Sequence, residues 1–506
     1  MRGYDGLTAL YGDLHNHCGI SYGHGGLETA FRNARQQLDF CSVTGHALWP
    51  DMPEPDPTID TIVDFHREGF ARLRRRWAAV QETTAAFHRP GDFVTFLSFE
   101  MHSCADGDYT VVYPGGEGEI LDVAGLPDLR RRLKALHGQG VEAMAFPHHI
   151  GYKRGQRGIN WDAFDPAISP VVEVVSMHGC SEADEGPRPF LHVMGPADHE
   201  STMRHGLAQG HRFGVIGATD HHSAHPGSYG HGRAAVWATA NTRAGIWDAL
   251  WARRTYALTG DRIALRFAIN GRPMGAVAPA ARRHEIGVHV LGGAPIDAVD
   301  VIKNGAVWRR VSRCDVARPR SGGGNPIRTR LFLEVGWGER GVRADWDVRF
   351  GVSAGRVLAV EPRFRGPEVV APTEVEAAWD EVPLSRCHHE GRSVRFQTTT
   401  FGNPNNRTPA TQGVCLDVEV PLAAEVEAEI NGRRVAYPLS VLLEGARAGR
   451  LGKIASPAYR FHRAPRPWEL DWRFALEDEG KPGDVYYVRV RQLNDQWAWS
   501  SPIWVG

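Results

Sequence analysis

"YGDLHNHCGISYGHGG" occupies residues 11–26. Tyr11, Gly12, Asp13 and Leu14 read as a short strand. Three histidines, His15, His17 and His24, then fall within ten positions of one another. Glycines crowd the rest of the stretch, so the strand opens into a loop. Such a segment is either a histidine-rich surface loop or one corner of a metal site with ligands far along the chain. Histidine usage favours the corner: 19 of the 24 histidines precede residue 240 and five follow it.

The same pattern recurs down the first half of the chain. "LETAFRNARQQ" (27–37), residues 58–87, "LPDLRRRLKALHGQG", "ESTMRHGLAQG" and 242–255 carry helical spacing, and short apolar runs separate them. Each run ends in ligand-type residues. "CSVTGHA" ends in His46, "FVTFLSFE" in Glu100 and "VEAMAFPHH" in His148 and His149. "VVEVVSMH" ends in His178, and "FGVIGATDHH" in Asp220, His221 and His222. Strands alternating with helices predict parallel strands joined by crossover helices, an α/β barrel or a distorted relative of one. In such a barrel the C-terminal strand ends share one rim, and that rim carries the chemistry. A His-x-His pair on a strand places both rings on one face. Imidazole and carboxylate together suit zinc, manganese or iron better than magnesium or calcium.

Residues 263–506 change character. Runs such as "RIALRFAINGRPMG", "TRLFLEVGWG" and "AEVEAEINGRRVAYPL" alternate apolar and polar residues between Asn-Gly and Gly-Gly turns. This predicts a β-rich, sandwich-like accessory domain of immunoglobulin-like type, with room for insertions, after a first domain of residues 1–262. "PRSGGGNP" (319–326) and "TTTFGNPNNRTPATQG" (398–413) read as loops, as does "CHHE" (387–390), which has no partner set. His66, His88, His137, His192, His199, His205 and His211 read as structural or exposed, and Trp472, Trp497 and Trp499 as sandwich core.

Composition narrows the function classes. The 506 residues carry a net charge of −1, with no basic field for a nucleic-acid backbone. No apolar run approaches a bilayer span, and the N-terminal residues lack a leader pattern. Seven scattered cysteines without a CxxC pair argue for a reducing compartment, read as the cytoplasm. None of Cys18, Cys41 and Cys180 is paired with a base as a nucleophile would be.

The motifs "GDLHNH", "TGHA", "SFE", "PHHIGY", "VVSMHGCSE" and "GATDHHSAHPG" resemble those of the PHP (polymerase and histidinol phosphatase) superfamily of metal-dependent phosphoesterases. "IWDALWARRTYALTGDRI" (246–263) and "AWSSPIWV" are similar to the DUF3604 branch, close to carbaryl-hydrolase-like metallohydrolases. The resemblance implies a distorted (β/α)7 barrel with two or three divalent ions (Zn, Mn or Fe) at its rim. It places His15, His17, Glu100 and Asp220 on one ion. Glu100 would bridge to a second, held also by His178 and either His148 or His149. His24, His46 and His222 would hold a third. Where the family has "TDH" this chain has "TGH", so Gly45 removes a carboxylate beside His46.

The implied activity is metal-assisted hydrolysis of a small organic phosphate mono- or diester by a hydroxide shared between two ions, with Glu100, His178 and Asp220 as catalytic residues. Tyr152, Lys153, Arg154 and Arg157 in "HHIGYKRGQRG", with His225 and Arg233, are the substrate-contact candidates. The partner expected is a small anionic molecule, not a nucleic acid or a membrane. Two readings compete: hydrolysis of a non-phosphate ester, carbamate or amide at the same metals, and a catalytically silent binding protein.

Overall fold

The computed structural model describes residues 1–190, 195–316, 325–367, 383–402 and 410–506. The first half builds, in chain order, β1 (Thr8–Asp13), α1 (Leu27–Gln37), β2 (Phe40–Ser42), β3 (Gly45–Leu48), α2 (Asp60–Phe87), β4 (Val94–Met101) and β5 (Tyr109–Tyr113). There follow α3 (Leu126–Gly138), β6 (Met144–Pro147), β7 (Val171–Ser176), β8 (Gly179–Cys180), α4 (Met203–Ala208), β9 (Gly214–Gly217), β10 (Arg233–Ala238), α5 (Arg243–Trp251) and β11 (Thr255–Leu258). In α1 the residues Leu27, Ala30, Phe31 and Ala34 form the buried stripe that helical spacing demands. Every residue of β4 is buried, as its apolar run requires of a strand covered on both faces.

The strands are not uniformly parallel. β1, β2 and β4 run parallel, and β3 pairs parallel with the end of β4. β5 is antiparallel to both β4 and β6, and β10 is antiparallel to β1 and β11. β7, β8 and β9 form a separate small sheet. It packs with β7 beside β6 and β9 beside β10 and β11, without joining their hydrogen-bond ladder. The regular (β/α)7 alternation is therefore not what the chain builds. β5 follows β4 through a short loop, while the antiparallel pairs β5–β6 and β10–β11 are joined through α3 and α5.

Residues after 262 continue this sheet as well as forming their own. β11 pairs with the strand Trp497–Ser500, which pairs with Val485–Gln492. The remainder includes two five-stranded antiparallel sheets, one centred on Ile327–Gly336 and Thr411–Val420, the other on Arg343–Val352 and Ser393–Phe401. Leu331, Leu333 and Leu416 of the first meet Val348, Phe350 and Phe396 of the second in one buried core, a sandwich in the sense of facing sheets. "CHHE" is not a loop: Arg386–Glu390 is a strand paired with Ser393–Phe401. Of the stretch 398–413, both ends lie in strands, while residues 403–409, like 319–324 and His192, lie outside the described residues.

Buried ion networks join the two halves of the chain. Glu182, 1% exposed, accepts from the Tyr487 hydroxyl (2.6 Å), Trp499 Nε1 (2.8 Å), Arg489 Nη1 (2.9 Å) and Arg204 Nη2 (3.0 Å). Asp261 accepts from the Tyr229 hydroxyl (2.7 Å) and pairs with the buried Arg363 guanidinium (3.1 Å). Trp472 and Trp499 are core residues, and Trp497 stacks on Trp499 at 5.9 Å.

Candidate metal centre

His15 and His17 lie just beyond β1, in the bend that follows Asp13, not on the strand itself. That bend is pinned from behind. Buried Asp13 accepts from the Thr219 hydroxyl (2.5 Å) and from the amides of Gly227 (2.8 Å) and Thr219 (3.2 Å), tying the end of β1 to the loop after β9. Gly12 is needed because a Cβ there would meet the Phe40 ring at 2.3 Å. Asp220, in the loop after β9, has φ +54°, and His149, after β6, has φ +32°. Two non-glycine residues in this sparsely populated region, both beside the cluster, are backbone strain of the kind that gathers at functional sites.

Strand register then brings the distant ligands together. β3 and β4 place His46 opposite Glu100, and β4 and β5 place Glu100 opposite Thr110. Pro147 pairs with Tyr109, which sets His148 and His149 one step beyond the sheet. Four donors converge first: His15 Nε2 and His17 Nε2 (3.1 Å apart), Asp220 Oδ1 (3.4 and 3.1 Å from them) and Glu100 Oε2 (3.5 and 3.4 Å). Four donors about 2.05 Å from one centre would stand about 3.3 Å apart in a tetrahedron.

The proton inventory of this corner calls for a cation. His15 Nδ1 is 2.8 Å from Glu173 Oε2, and His17 Nδ1 is 2.7 Å from the Thr44 carbonyl. A carbonyl only accepts, so His17 Nδ1 donates, and the Glu173 carboxyl is placed to accept from His15 Nδ1. Neutral rings would then turn two Nε2 lone pairs at each other across 3.1 Å. Glu100 Oε2, buried beside them, has no hydrogen-bond partner. Burial works against a charged His15, yet the Asp220 and Glu173 carboxylates hold its pKa well above the ordinary imidazole value. Positive charge belongs at this point, as a proton or as a metal ion.

A second group gathers Glu100, Asp108, His148 and His149, with one donor atom of each within 4.8 Å of the others. His148 Nε2 is 3.2 Å from Glu100 Oε1, and His149 Nε2 is 3.4 Å from Asp108 Oδ2. Thus both histidines of "PHH" enter the cluster, facing different carboxylates. His178 Nε2 lies 2.7 Å from Asp220 Oδ2, at the slightly exposed edge. The third group is His17, His46 and His222. His24 does not join it: its amide donates to the His222 carbonyl (2.7 Å), and its imidazole belongs to none of the four ligand groups among the described residues. The carboxylate missing from "TGH" has a packing cause, since a Cβ on Gly45 would stand 2.4 Å from Leu73 of α2.

The charge states suit metal ligation. Burial opposes ionisation of Glu100 and Asp220, but His102 and His46 beside the one, and His15 and His178 beside the other, hold both well below the usual carboxylate range. Burial, then the neighbouring His17, lowers His46 well below the ordinary value and His222 to about 3. Burial likewise lowers His148 and His149. The cluster presents ionised carboxylates and, His15 apart, neutral imidazoles among these groups.

Residues 228–272 match the model of a family described as a protein of unknown function (DUF3604). Among curated relatives, an uncharacterized protein of Chlamydia trachomatis serovar D is 26% identical over 319 residues, covering 58% of this chain and 47% of that protein. One from Chlamydia muridarum is 26% identical over 320 residues, covering 58% and 48%. One from Chlamydia pneumoniae is 29% identical over 168 residues, covering 30% and 27%. The chain spans about half the length of the first two relatives. A crystal structure of "a two-domain protein containing predicted PHP-like metal-dependent phosphoesterase" from Bacteroides vulgatus aligns at 12% identity over 86% of this chain and 95% of that one, with a TM-score of 0.31.

The DUF3604 segment begins beside the cluster and contains Arg233, which is no substrate contact. It is fully buried and donates to the carbonyls of Gly227 (2.7 Å) and Gly260 (3.0 Å) and to Gln37 Oε1 (3.0 Å). Lys153 is exposed, and Arg154 turns outward to Asp162 at 2.8 Å. Arg157 reaches the cluster but pairs there with Asp108. Tyr152 is buried under His149, with ring centroids 5.2 Å apart. His225 is buried against His221, and Gly366 of the second half is wedged so closely that a Cβ would touch both residues at 2.5 Å.

Sequence reasoning missed Glu173, His102, Asp108 and Tyr22; His66, read as structural or exposed, is buried and holds Tyr22. Tyr22 stacks on His46 at 3.5 Å, and its hydroxyl lies 3.2 Å from both His66 and His102. Glu173 supports two ligands at once, because its other oxygen accepts the His149 amide at 3.1 Å. Glu173→Gln keeps this shape but loses the charge behind His15. Metal affinity, measured by calorimetry, is expected to fall by about 10–100-fold, the usual cost of losing such a supporting group.

Proposed function

We propose that this chain is a metal-dependent hydrolase that cleaves a small organic phosphate mono- or diester at the rim cluster. One observation carries the reading: the buried His15 and His17 Nε2 atoms, 3.1 Å apart, each stand 3.1–3.5 Å from a carboxylate oxygen of Asp220 and of Glu100, whose Oε2 has no hydrogen-bond partner. The resemblance to PHP motifs supports it, and the two sheets facing this cluster fit the walls of a distorted barrel. The imidazole and carboxylate donor set fits zinc, manganese or iron. His15, His17, Glu100 and Asp220 would hold one ion, and Glu100, Asp220, His178 and His148 or His149 another. His46 and His222, with His17, are the donors available to a third.

Bound there, divalent ions would supply Lewis acidity toward the scissile oxygen and a nucleophile ionised near neutral pH. The residues do the rest. Glu173 and the Thr44 carbonyl fix the tautomers of His15 and His17, keeping Nε2 available to ligate. Asp220 Oδ2 holds His178 Nε2 at 2.7 Å. His178 and His222, 7% and 8% exposed, are the cluster histidines nearest to solvent, and the other donors are buried more deeply.

A second reading, hydrolysis of a non-phosphate ester, carbamate or amide, draws on a specific observation. None of the four basic residues expected to grip a phosphate stands open toward the cluster: Lys153 and Arg154 face solvent, Arg157 is paired, and Arg233 is interior. Metal analysis followed by a screen of p-nitrophenyl phosphates against aryl esters and carbamates decides between the two. Turnover of phosphates alone supports the first reading, and turnover of carbonyl substrates alone replaces it with the second. A folded protein that takes up no divalent metal rejects both and leaves the binding-protein reading.

A further inference from the structure

The corner between His46, Glu100 and His102 looks like one more cation site, since one donor atom of each lies within 4.8 Å of the others. Its hydrogen bonds can be assigned in sequence from one fixed end. His66 Nδ1 lies 2.6 Å from the Ile62 carbonyl, which only accepts, so Nδ1 carries the proton and Nε2 the lone pair. The Tyr22 hydroxyl therefore donates to His66 Nε2 at 3.2 Å. Its oxygen is left to accept from His102 Nε2, also at 3.2 Å. His102 Nδ1 lies in the corner, 3.1 Å from both Glu100 Oε1 and Asp108 Oδ2. Two buried carboxylates gathered this closely around one imidazole nitrogen call for a positive group among them.

Arg157 is that cation. Its Nη2 lies 2.6 Å from His102 Nδ1, and its Nε and Nη2 both donate to Asp108, with Nε at 2.7 Å. The guanidinium also sits 5.3 Å from the Trp49 ring centroid. The loop is built for this placement. Arg157 holds φ +69°, its amide donates to the Cys104 carbonyl (3.2 Å), and Gly158 closes back on Lys153 (3.1 Å). A Cβ at Gly158 would fall 1.7 Å from the Tyr152 carbonyl oxygen, so only glycine lets the turn close this tightly. Guanidinium is permanently charged and cannot release its proton to make way for a metal.

We propose that Arg157 is the resident cation of the His46–Glu100–His102 corner, so that no divalent ion binds there. The inference rests on the metal-hydrolase reading. His102 is then a positioning residue, its Nδ1 already used by Arg157. Asp108 is held by the same guanidinium, leaving His178 and His148 or His149 as the second ion's nitrogen donors.

The test is metal stoichiometry, read by elemental analysis of the full chain loaded with zinc or manganese and freed of excess ion, with circular dichroism to check folding. Wild type and H102A are expected to hold the same number of ions, because His102 ligates none. R157Q frees Nδ1 and Asp108 and is expected to hold one ion more than wild type, an ion lost again in R157Q/H102A. Loss of an ion in H102A, or no gain in folded R157Q, would each overturn the proposal. Should R157Q not fold, H102A against wild type still decides it. A folded wild type that binds no ion fails the metal-hydrolase reading itself, an outcome distinct from a change of count in either variant.

Discussion

Glu100→Ala is expected to strip the folded protein of most of its bound metal and to lower turnover by about 10³-fold or more, on the scale of several kcal/mol for a metal's share of transition-state stabilisation. The reason is position. Glu100 faces residues of all four ligand groups: Oε2 faces His15, His17 and His46 (3.5, 3.4 and 3.7 Å), and Oε1 faces His148 and His102 (3.2 and 3.1 Å). Removing it leaves a buried ring of imidazoles with only Asp220 to balance a divalent charge at the first corner. Glu100→Gln preserves the volume and one acceptor oxygen but not the charge, so it should retain the fold and lose metal nearly as completely. Elemental analysis and the phosphate assay, run together on both variants, check this. A variant that kept full metal and full activity would remove Glu100 from the site.

The second large effect is structural. Glu182→Ala is expected to destabilise the protein by about 3–5 kcal/mol, the usual cost of breaking a buried ion pair. The main thermal transition should then fall by on the order of 10 °C. Glu182 is the shared acceptor for Arg204 on α4 and for Arg489, Tyr487 and Trp499 from the far end of the chain. Its loss leaves buried donors without an acceptor, and Arg489 keeps only its Asp300 partner. The pH dependence follows from the direction of its shift. Burial raises the Glu182 pKa, but Arg489 and Arg204 prevail and depress it in the fold. A depressed carboxylate contributes stability above its unfolded pKa, about 4.3, and loses it as pH falls through the folded value. The gap between wild-type and variant melting temperatures should therefore be full at pH 7 and shrink below about pH 4.

What the sequence made legible, and what it hid, follows from strand direction. In a parallel strand the C-terminal end meets the rim, so His46, Glu100, His148 and Asp220 could be found by reading the last residues of apolar runs. β5 is antiparallel to β4, so its beginning meets the rim, and Asp108 stands before the run "YTVVY" where no end-of-strand rule looks. Glu173 was hidden differently: it lies inside "VVEVVS", a strand buried along its whole length, and reads as an interruption of the core. The one carboxylate in such a strand is itself a signal, since an ionised group is buried only with partners. His24 was assigned through the family resemblance alone; the structure shows its backbone amide delivered to the His222 carbonyl. The basic residues after "PHHIGY" were grouped by proximity in sequence, but a left-handed turn at Arg157 sends them in different directions.

The pairing of β11 with Trp497–Ser500 carries a consequence for how the protein is made. The Thr255 and Ser501 hydroxyls meet at 2.9 Å, 246 residues apart. At about 5–20 residues per second, a ribosome needs roughly 12–50 s to cover that distance. Throughout that interval β11 presents an uncovered hydrogen-bonding edge in a nascent chain whose histidine cluster is already complete in sequence. Occupation of that cluster and closure of the sheet would thus be separable in time, the first needing only the first half of the chain and the second its far end.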